Sequence, residues 1–356
     1  MKFFKNKLGF DVTYYNSRIK DQILQTSIPT STGASSVLAN VGELRSFGWE
    51  ASIYATPIKT RDFTWNTRIN AAINRTKVEK LAKGIPQLVA YDADQSAIKI
   101  VADEGDYLGN IYTHVRATDS KGNFIISEDG LYTLTSDYKK VGNVMPKLVG
   151  GFLNSFSYKN FSLDINMDYR IGGQLVSNPL LYATGAGMFE STMKYRDAEN
   201  GGLPYYVDGS GNNVLLSSHT ATAPNGGKVY HDGVMLDGVT ASGEKNGKII
   251  DAASYYMNTY TWGSSGWYEN GSVYNNSYLK VREAILSYTL PSAVAQKLRL
   301  QNVRVSLIGR NLFYLYRTLK NLDPEAPIGT SWNRQGIDEG STAATRSFGV
   351  ALHASF

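Results

Sequence analysis

The side chains with chemical reach are few and loosely placed. Asp103, Glu104 and Asp106 cluster, and Glu128 adjoins Asp129. Two carboxyl groups can hydrolyse a glycoside when they face each other across the bond at a set separation. Both clusters fall in polar loop sequence, and nothing in their spacing supplies that geometry, so they read as solvated loop charges. Asp92-x-Asp94 has the opening of a calcium loop but lacks the glycine and distal glutamate that complete one. His114, His219, His231 and His353 show neither H-E-x-x-H nor i, i+4 spacing. There is no cysteine, which removes thiol catalysis, zinc thiolates and disulfides together. Gly172-Gly173 and Gly226-Gly227 read as turn glycines, since neither pair follows a strand and opens a helix as a phosphate loop does. No catalytic residue, metal site or cofactor is expected.

The aromatic residues are more informative. Tyr255, Tyr256, Tyr260, Trp262, Trp267 and Tyr268 lie in the longest irregular stretch, and Trp332 in the last one. Flat rings with polar edges suit sugar faces or peptide side chains. The same rings also suit packing of loops against one another or contact with a covering protein. The chain has 24 Tyr, 13 Phe, 5 Trp and 34 Gly in 356 residues, and only 19% charged residues, against about 25% in soluble domains. That balance suits an aromatic-girdled barrel or a carbohydrate-binding β-protein. The net charge of +5 is mild. Lys and Arg are scattered with no basic cluster, which argues against nucleic acid as a partner. No stretch of 18 apolar residues exists, so no transmembrane helix is expected. Lys5, Asn6 and Lys7 interrupt the start, which does not read as a secretory leader. A membrane barrel must be exported, so that reading expects this sequence to be the tail of something longer.

The elements that would position these residues are strands. In the last stretch, Arg346 to Phe356, Phe348, Val350, Leu352, Ala354 and Phe356 share one face, and Ser347, Gly349, Ala351, His353 and Ser355 the other. Period-two alternation over about ten residues matches a tilted strand crossing a bilayer, which needs 9–11. The same alternation recurs at Leu8 to Tyr15, Phe47 to Thr56, Phe63 to Asn74, Phe161 to Ile171, Ser277 to Leu290 and Asn302 to Phe313. It is weakest at Leu148 to Tyr158, where Leu153 breaks the pattern. Eight strands leave seven connections, and their lengths alternate. Pro57–Asp62, Lys159–Asn160 and Pro291–Gln301 are short, the last with room for a helical turn or two. Residues 19–45, 77–146, 174–276 and 314–345 are long, beyond the 12–15 residues that compact domains tolerate without structure. Short turns on one side and long loops on the other describe an outer-membrane barrel. Arg68, Asp164, Asp168, Arg170, Arg304 and His353 all fall on the polar faces, which would line the lumen. An Arg turned to the bilayer midplane instead would cost roughly 2–4 kcal/mol.

Several stretches resemble one family. Asn40-Val41-Gly42-Glu43-Leu44 running into Phe47-Gly48-Trp49-Glu50 is one, and Val144-Met145-Pro146-Lys147 with Gly150-Gly151-Phe152 and Ser157 to Leu163 is another. Arg170-Ile171-Gly172-Gly173-Gln174, Tyr278 to Arg282 through Leu286 to Pro291, and Gly309-Arg310-Asn311-Leu312-Phe313 with Asp323-Pro324-Glu325 follow in order. Together they resemble the C-terminal barrel portion of the SusC/RagA-type TonB-dependent outer-membrane transporters of Bacteroidetes. The resemblance implies an all-β, antiparallel transmembrane barrel segment of about eight strands with long extracellular loops, part of a larger, plugged barrel. It implies that residues 1–356 form the C-terminal barrel part, with plug and earlier strands absent from this sequence. It implies import of oligosaccharides or peptides, a SusD-like surface lipoprotein over the mouth, a TonB complex acting through the plug, outer-membrane lipid around the wall, and no enzymatic activity. Trp49, Trp65, Tyr169, Tyr288 and Phe356 would then belong to the interfacial aromatic girdles. The residues by themselves also fit a secreted β-sandwich that binds or cleaves glycans, or a non-transporting adhesin barrel.

Overall fold

A computed structural model of the chain describes all residues except 1, 5–6, 22, 28–29, 35, 41, 84–86, 94–96, 262–267, 298 and 326–335. Eight long strands run in chain order: β1 (Leu8–Ile19), β2 (Gly42–Lys59), β3 (Phe63–Leu81), β4 (Leu148–Tyr158), β5 (Phe161–Ile171), β6 (Tyr278–Thr289), β7 (Asn302–Arg317) and β8 (Ser347–Ser355). Each pairs antiparallel with the next, in one meandering sheet that also holds a two-residue strand, Lys2–Phe3, beside β1.

The register explains why this order is stable. Leu8, Phe10, Val12 and Tyr14 stand opposite Ala55, Ile53, Ala51 and Trp49. Ile69, Trp65 and Phe63 meet Phe152, Phe156 and Tyr158. Leu163 meets Leu286, which meets Leu307, which meets Val350. Apolar residues therefore line up in rows on one face of all eight strands, and many of them are exposed, Phe348, Val350 and Leu352 by 70% or more. A slip of one residue at any strand would break every row. The opposite face carries Arg68, Asp164, Asp168, Arg170, Arg304 and His353, with Tyr54 opposite Arg68 and Arg304 opposite His353. Leu153 lies on that polar face between Arg68 and Asn166, as its sequence position implies.

Trp49, Trp65, Tyr169 and Tyr288 share the apolar face. Trp49 packs on Tyr14 at 4.9 Å, and Tyr288 on Phe161 at 4.7 Å between ring centroids. Tyr169 lies over Gly150, where its hydroxyl donates to the Asn70 carbonyl at 2.8 Å. Phe356 follows the end of β8 and is 88% exposed. Two polar residues side by side, Thr67 and Asn154, interrupt the apolar rows. Asn154 sits between Thr67 and Ile165, and the Trp65 indole donates to its Oδ1 at 3.1 Å. Trp65→Phe keeps the ring stacked on Phe156 but removes that donor. An unpaired amide oxygen in apolar surroundings costs about 1–3 kcal/mol, so the variant is expected to unfold at lower temperature in detergent, and Trp65→Phe with Asn154→Val to recover.

The ends of the sheet differ, as expected from the sequence. At one end the connections are 60–62, Lys159–Asn160 and 290–301, the last holding a short helix, Ser292–Lys297. At the other end β2 and β3 reach beyond the expected bounds, to Gly42 and Leu81, and β7 reaches Arg317. The long connections are not structureless, contrary to the loop reading. Ile23–Ser27 and Ser36–Asn40 pair antiparallel, and four strands between Gln87 and Asn143 form a second sheet. Residues 172–277 build a four-stranded sheet, two strands of a three-stranded sheet completed by Ile337–Asp338, and helices α1 (Asn178–Gly185) and α2 (Ala252–Thr259). One apolar core draws on three connections at once: Ile98, Ile111 and Val144, then Val176, Leu181 and Tyr268, then Ile337. No helix among the described residues is long and apolar enough to cross a membrane.

Candidate substrate cavity and loop anchor

The candidate site is built on α2. Asp251 caps its first turn by accepting from the Ser254 N–H at 2.8 Å, and Ser177 caps α1 by accepting from the Leu180 N–H at 3.3 Å. A side-chain oxygen at these positions satisfies an amide that the helix leaves unpaired. The two helices meet where Gly185 approaches the Tyr260 carbonyl, an approach that a Cβ would block. Tyr255, Tyr256 and Tyr260 gather beside Tyr195 in edge and stacked contacts of 5.0–6.3 Å. The Tyr256 hydroxyl donates to the Lys194 carbonyl at 3.2 Å. Burial raises the pKa of Tyr255 and of Tyr260, so both remain neutral phenols at physiological pH.

Two cavities flank α2. The first, about 770 Å³, is walled by Tyr182, Ala253, Tyr256, Met257 and Tyr260, with Arg196 and Asp232 as its charged groups. Arg196 is oriented by hydrogen bonds to the Gly187 carbonyl at 2.7 Å and the Thr192 hydroxyl at 3.1 Å. The second, about 860 Å³, is polar, with Asp129, Asn212, Lys248, Asp251, Ser254 and Asn258 in its wall. Successive faces of one short helix thus present an apolar wall and a polar one.

The loop aromatics therefore separate. Tyr256 and Tyr260 reach a cavity wall. Tyr255 packs in the same cluster as Tyr256 but lines neither cavity, and Tyr268 is fully buried in the shared core, so these two hold the loops together. Trp262, Trp267 and Trp332 lie outside the described residues. Arg196 and Asp232 went unseen in the sequence, because nothing local marks two charges 36 positions apart as neighbours of one cavity.

The carboxylates near position 104 are structural. Asp103 accepts from Gln87 and Tyr112, Glu104 from the Leu81 N–H, and Asp106 from Asn110 and Lys140. These contacts replace the solvated reading for Asp103, Glu104 and Asp106, while Asp129 of the second cluster lies in the wall of the polar cavity. Asp119 and Asp208 head two five-residue turns, Asp119-Ser-Lys-Gly-Asn123 and Asp208-Gly-Ser-Gly-Asn212. In each the Asp side chain accepts from the N–H two and four residues on. The repeated D-x-x-G-N spacing was the available signal for both turns. Gly172 and Gly173 have φ of +71° and +77°, and a Cβ at Gly173 would stand 2.9 Å from two carbonyl oxygens, so glycine is required there. Among the described residues no group of three or more His, Asp or Glu side chains is placed to hold a metal ion.

A charge network on the polar face ties the last long connection to the wall. The Glu325 carboxylate accepts from Lys280 at 2.5 Å and from Arg282, which also donates to Asp168 at 2.7 Å. The Tyr278 hydroxyl donates to Glu325 at 3.1 Å, and the Tyr314 hydroxyl to Asp323 at 2.5 Å. The other Asp323 oxygen accepts from the Ala344 N–H at 2.9 Å. Asn276 donates to the Pro324 carbonyl at 3.0 Å. The Lys280 side chain is only 3% exposed. Arg170 is covered as well, and donates to the Val144 carbonyl at 2.7 Å.

An antiparallel meander with one apolar and one polar face, short turns at one end and folded connections at the other, is a segment of β-barrel wall. The family model described as TonB dependent receptor-like, beta-barrel matches residues 1–185, and the chain belongs to that family. It is 26% identical to TonB-dependent receptor P3 of Formosa agariphila, over 99% of this chain and 33% of that protein. It is 26% identical to TonB-dependent receptor SusC of Bacteroides thetaiotaomicron over 46% of this chain and 18% of that protein. The solved structure of the RagAB peptide transporter superposes with a TM-score of 0.63 at 19% identity, over 98% of this chain and 33% of that one. The chain thus spans about a third of the relatives it matches along nearly its whole length.

Proposed function

We propose that this chain is the C-terminal wall and outer mouth of a TonB-dependent importer in the outer membrane, acting with a SusD-like surface lipoprotein and without enzymatic activity. The observation that carries the reading is the pairing of a continuous apolar outer face with elaborately folded connections at one end only. The apolar face would meet lipid and the polar face a watery bore plugged from within. TonB would act through the plug, outside this sequence. The first cavity beside α2 would take substrate. Its apolar wall suits an apolar side chain of a short peptide, and its one cation and one anion, Arg196 and Asp232, suit the peptide's charged termini. The polar cavity on the other side of α2 favours a second reading, an oligosaccharide, whose hydroxyls would meet the amides and carboxylates there.

Uptake separates the two. Cells carrying Met257→Asp with Tyr182→Ala are expected to lose about tenfold in uptake of fluorescent peptides, with surface expression unchanged. Unchanged peptide uptake, with loss of labelled oligosaccharide uptake in an Asn258→Ala, Lys248→Ala variant, would favour the second reading.

A further inference from the structure

The outward face carries a row of cations that import does not use. Arg18 of β1 stands directly opposite Arg45 of β2, and Arg45 directly opposite Lys77 of β3. Like charges directly opposite on one sheet face repel. Their direction is fixed by their neighbours. Leu44 and Val78, next in each strand, lie in an apolar core formed with the inner loops, so Arg45 and Lys77 point outward. One carboxylate stands among them. A register shift beside Glu43 leaves Glu79 without a partner across the ladder, and its carboxylate lies 3.4 Å from Arg18 and 3.6 Å from Arg45. Two residue pairs below, Arg75 stands opposite Phe47, its guanidinium bound to the carbonyls of Asn74, Pro146 and Lys147.

With Glu43 and its partner Lys80, which follow Arg45 and Lys77 on the same side, five cations and two carboxylates thus occupy the outward side of three adjacent strands. Along the chain the order is Ile53, Ala51, Trp49, Phe47, Arg45: apolar belt, aromatic ring, then cation. Arg45 also lies 5.3 Å over the Phe47 ring. At the same end of the wall, the outward positions of the remaining strands are apolar or aromatic: Ile171, Leu279 and Tyr316. Strands lie about 4.8 Å apart, so the row Arg18–Arg45–Lys77 spans about 10 Å across the sheet. The row follows the apolar belt and its aromatic residues along β2, and the Arg18 side chain is 60% exposed.

The geometry points to a binding site for a phosphorylated glycolipid headgroup of the outer leaflet, held by Arg18, Arg45 and Lys77, with Glu79 spacing the two arginines. Guanidinium groups bind phosphate oxygens through paired N–H donors, and the ring below would border the acyl chains. The inference rests on the outer-membrane reading above.

The test uses the protein extracted from its own outer membrane in detergent, with bisphosphorylated lipid A, its dephosphorylated form and inorganic phosphate as probes. Arg18→Gln, Arg45→Gln and Lys77→Gln together are expected to weaken bisphosphorylated lipid A binding by about tenfold or more. Glu79→Gln is expected to strengthen it, whereas a merely structural Glu79 would destabilise the fold and strengthen nothing. Heat-modifiable migration on gels checks that each variant is folded. Equal binding of the two lipid A forms, or equal binding by wild type and triple variant, overturns the site. Binding of inorganic phosphate that lipid A does not displace overturns the lipid as its ligand. A protein that fractionates with the outer membrane and fails these assays loses this site and keeps the import reading. A protein absent from that fraction loses both.

Discussion

Glu325→Gln is expected to release the last long connection from the barrel wall. The glutamate bridges Lys280 and Arg282, and Lys280 has almost no access to water. Removing one member of a buried, hydrogen-bonded charge pair leaves the other uncompensated, at about 3–5 kcal/mol. The substituted amide would keep the shape and lose the charge. Hydrogen exchange at the Ala344 amide, held by Asp323, is expected to accelerate by about a hundredfold, the lower end of that range. Unchanged protection would show that the aromatic and backbone contacts suffice.

Acid should imitate the substitution. Burial alone would raise the carboxyl of Glu325, but its bonds from Arg282 and Lys280 outweigh that and hold it below the usual value. Burial likewise would raise the carboxyl of Asp323, and the bonds from Tyr314 and the Ala344 amide outweigh it and lower its pKa. A carboxyl whose pKa is lower folded than unfolded contributes its full stability above the unfolded value, about 4, and loses it as pH falls through the folded one. Protection of the connection should therefore be flat from neutrality to about pH 5 and decline below about pH 4.

The second large effect is an asymmetry between neighbours. Leu307→Arg is expected to cost roughly 2–4 kcal/mol in the membrane, because the guanidinium enters the apolar row of Leu163, Leu286 and Val350. Ile308→Arg, one residue on, faces the polar side opposite Ile285 and Gly349 and should cost little. Yield of folded, heat-modifiable protein in the outer-membrane fraction reads both. Equal losses, or a worse result for Ile308→Arg, would overturn the assignment of the Leu307 row to the lipid-facing side.

Some of this was legible in the sequence and some was not. β4 and β5 begin and end where alternation begins and ends, because a two-residue turn leaves no slack between them. β2, β3 and β7 run past the alternating stretch for a physical reason. Above the apolar belt a strand keeps its backbone pairing but meets water on its outer face, so Arg45 and Lys77 replace Phe and Ile and the binary pattern fades. The inner structure of the long connections was not legible. Their strands are short and their core joins residues more than 200 positions apart, such as Ile98 and Ile337. The segment Asp323-Pro324-Glu325 was recognisable by resemblance, but only the coordinates give it a task as an anchor. The cavity beside α2 was half visible. Tyrosines 256 and 260 were expected near a ligand, whereas Tyr255 and Tyr268 are consumed by packing.

The core shared by three connections has a kinetic consequence. Its members come from hairpins that are separate along the chain, so it cannot close until the intervening strands stand side by side. The outer cap is therefore a late product of assembly, delayed by loop closure over long distances. Once closed, it behaves as one mechanical body: pulling on any of the three connections strains the other two.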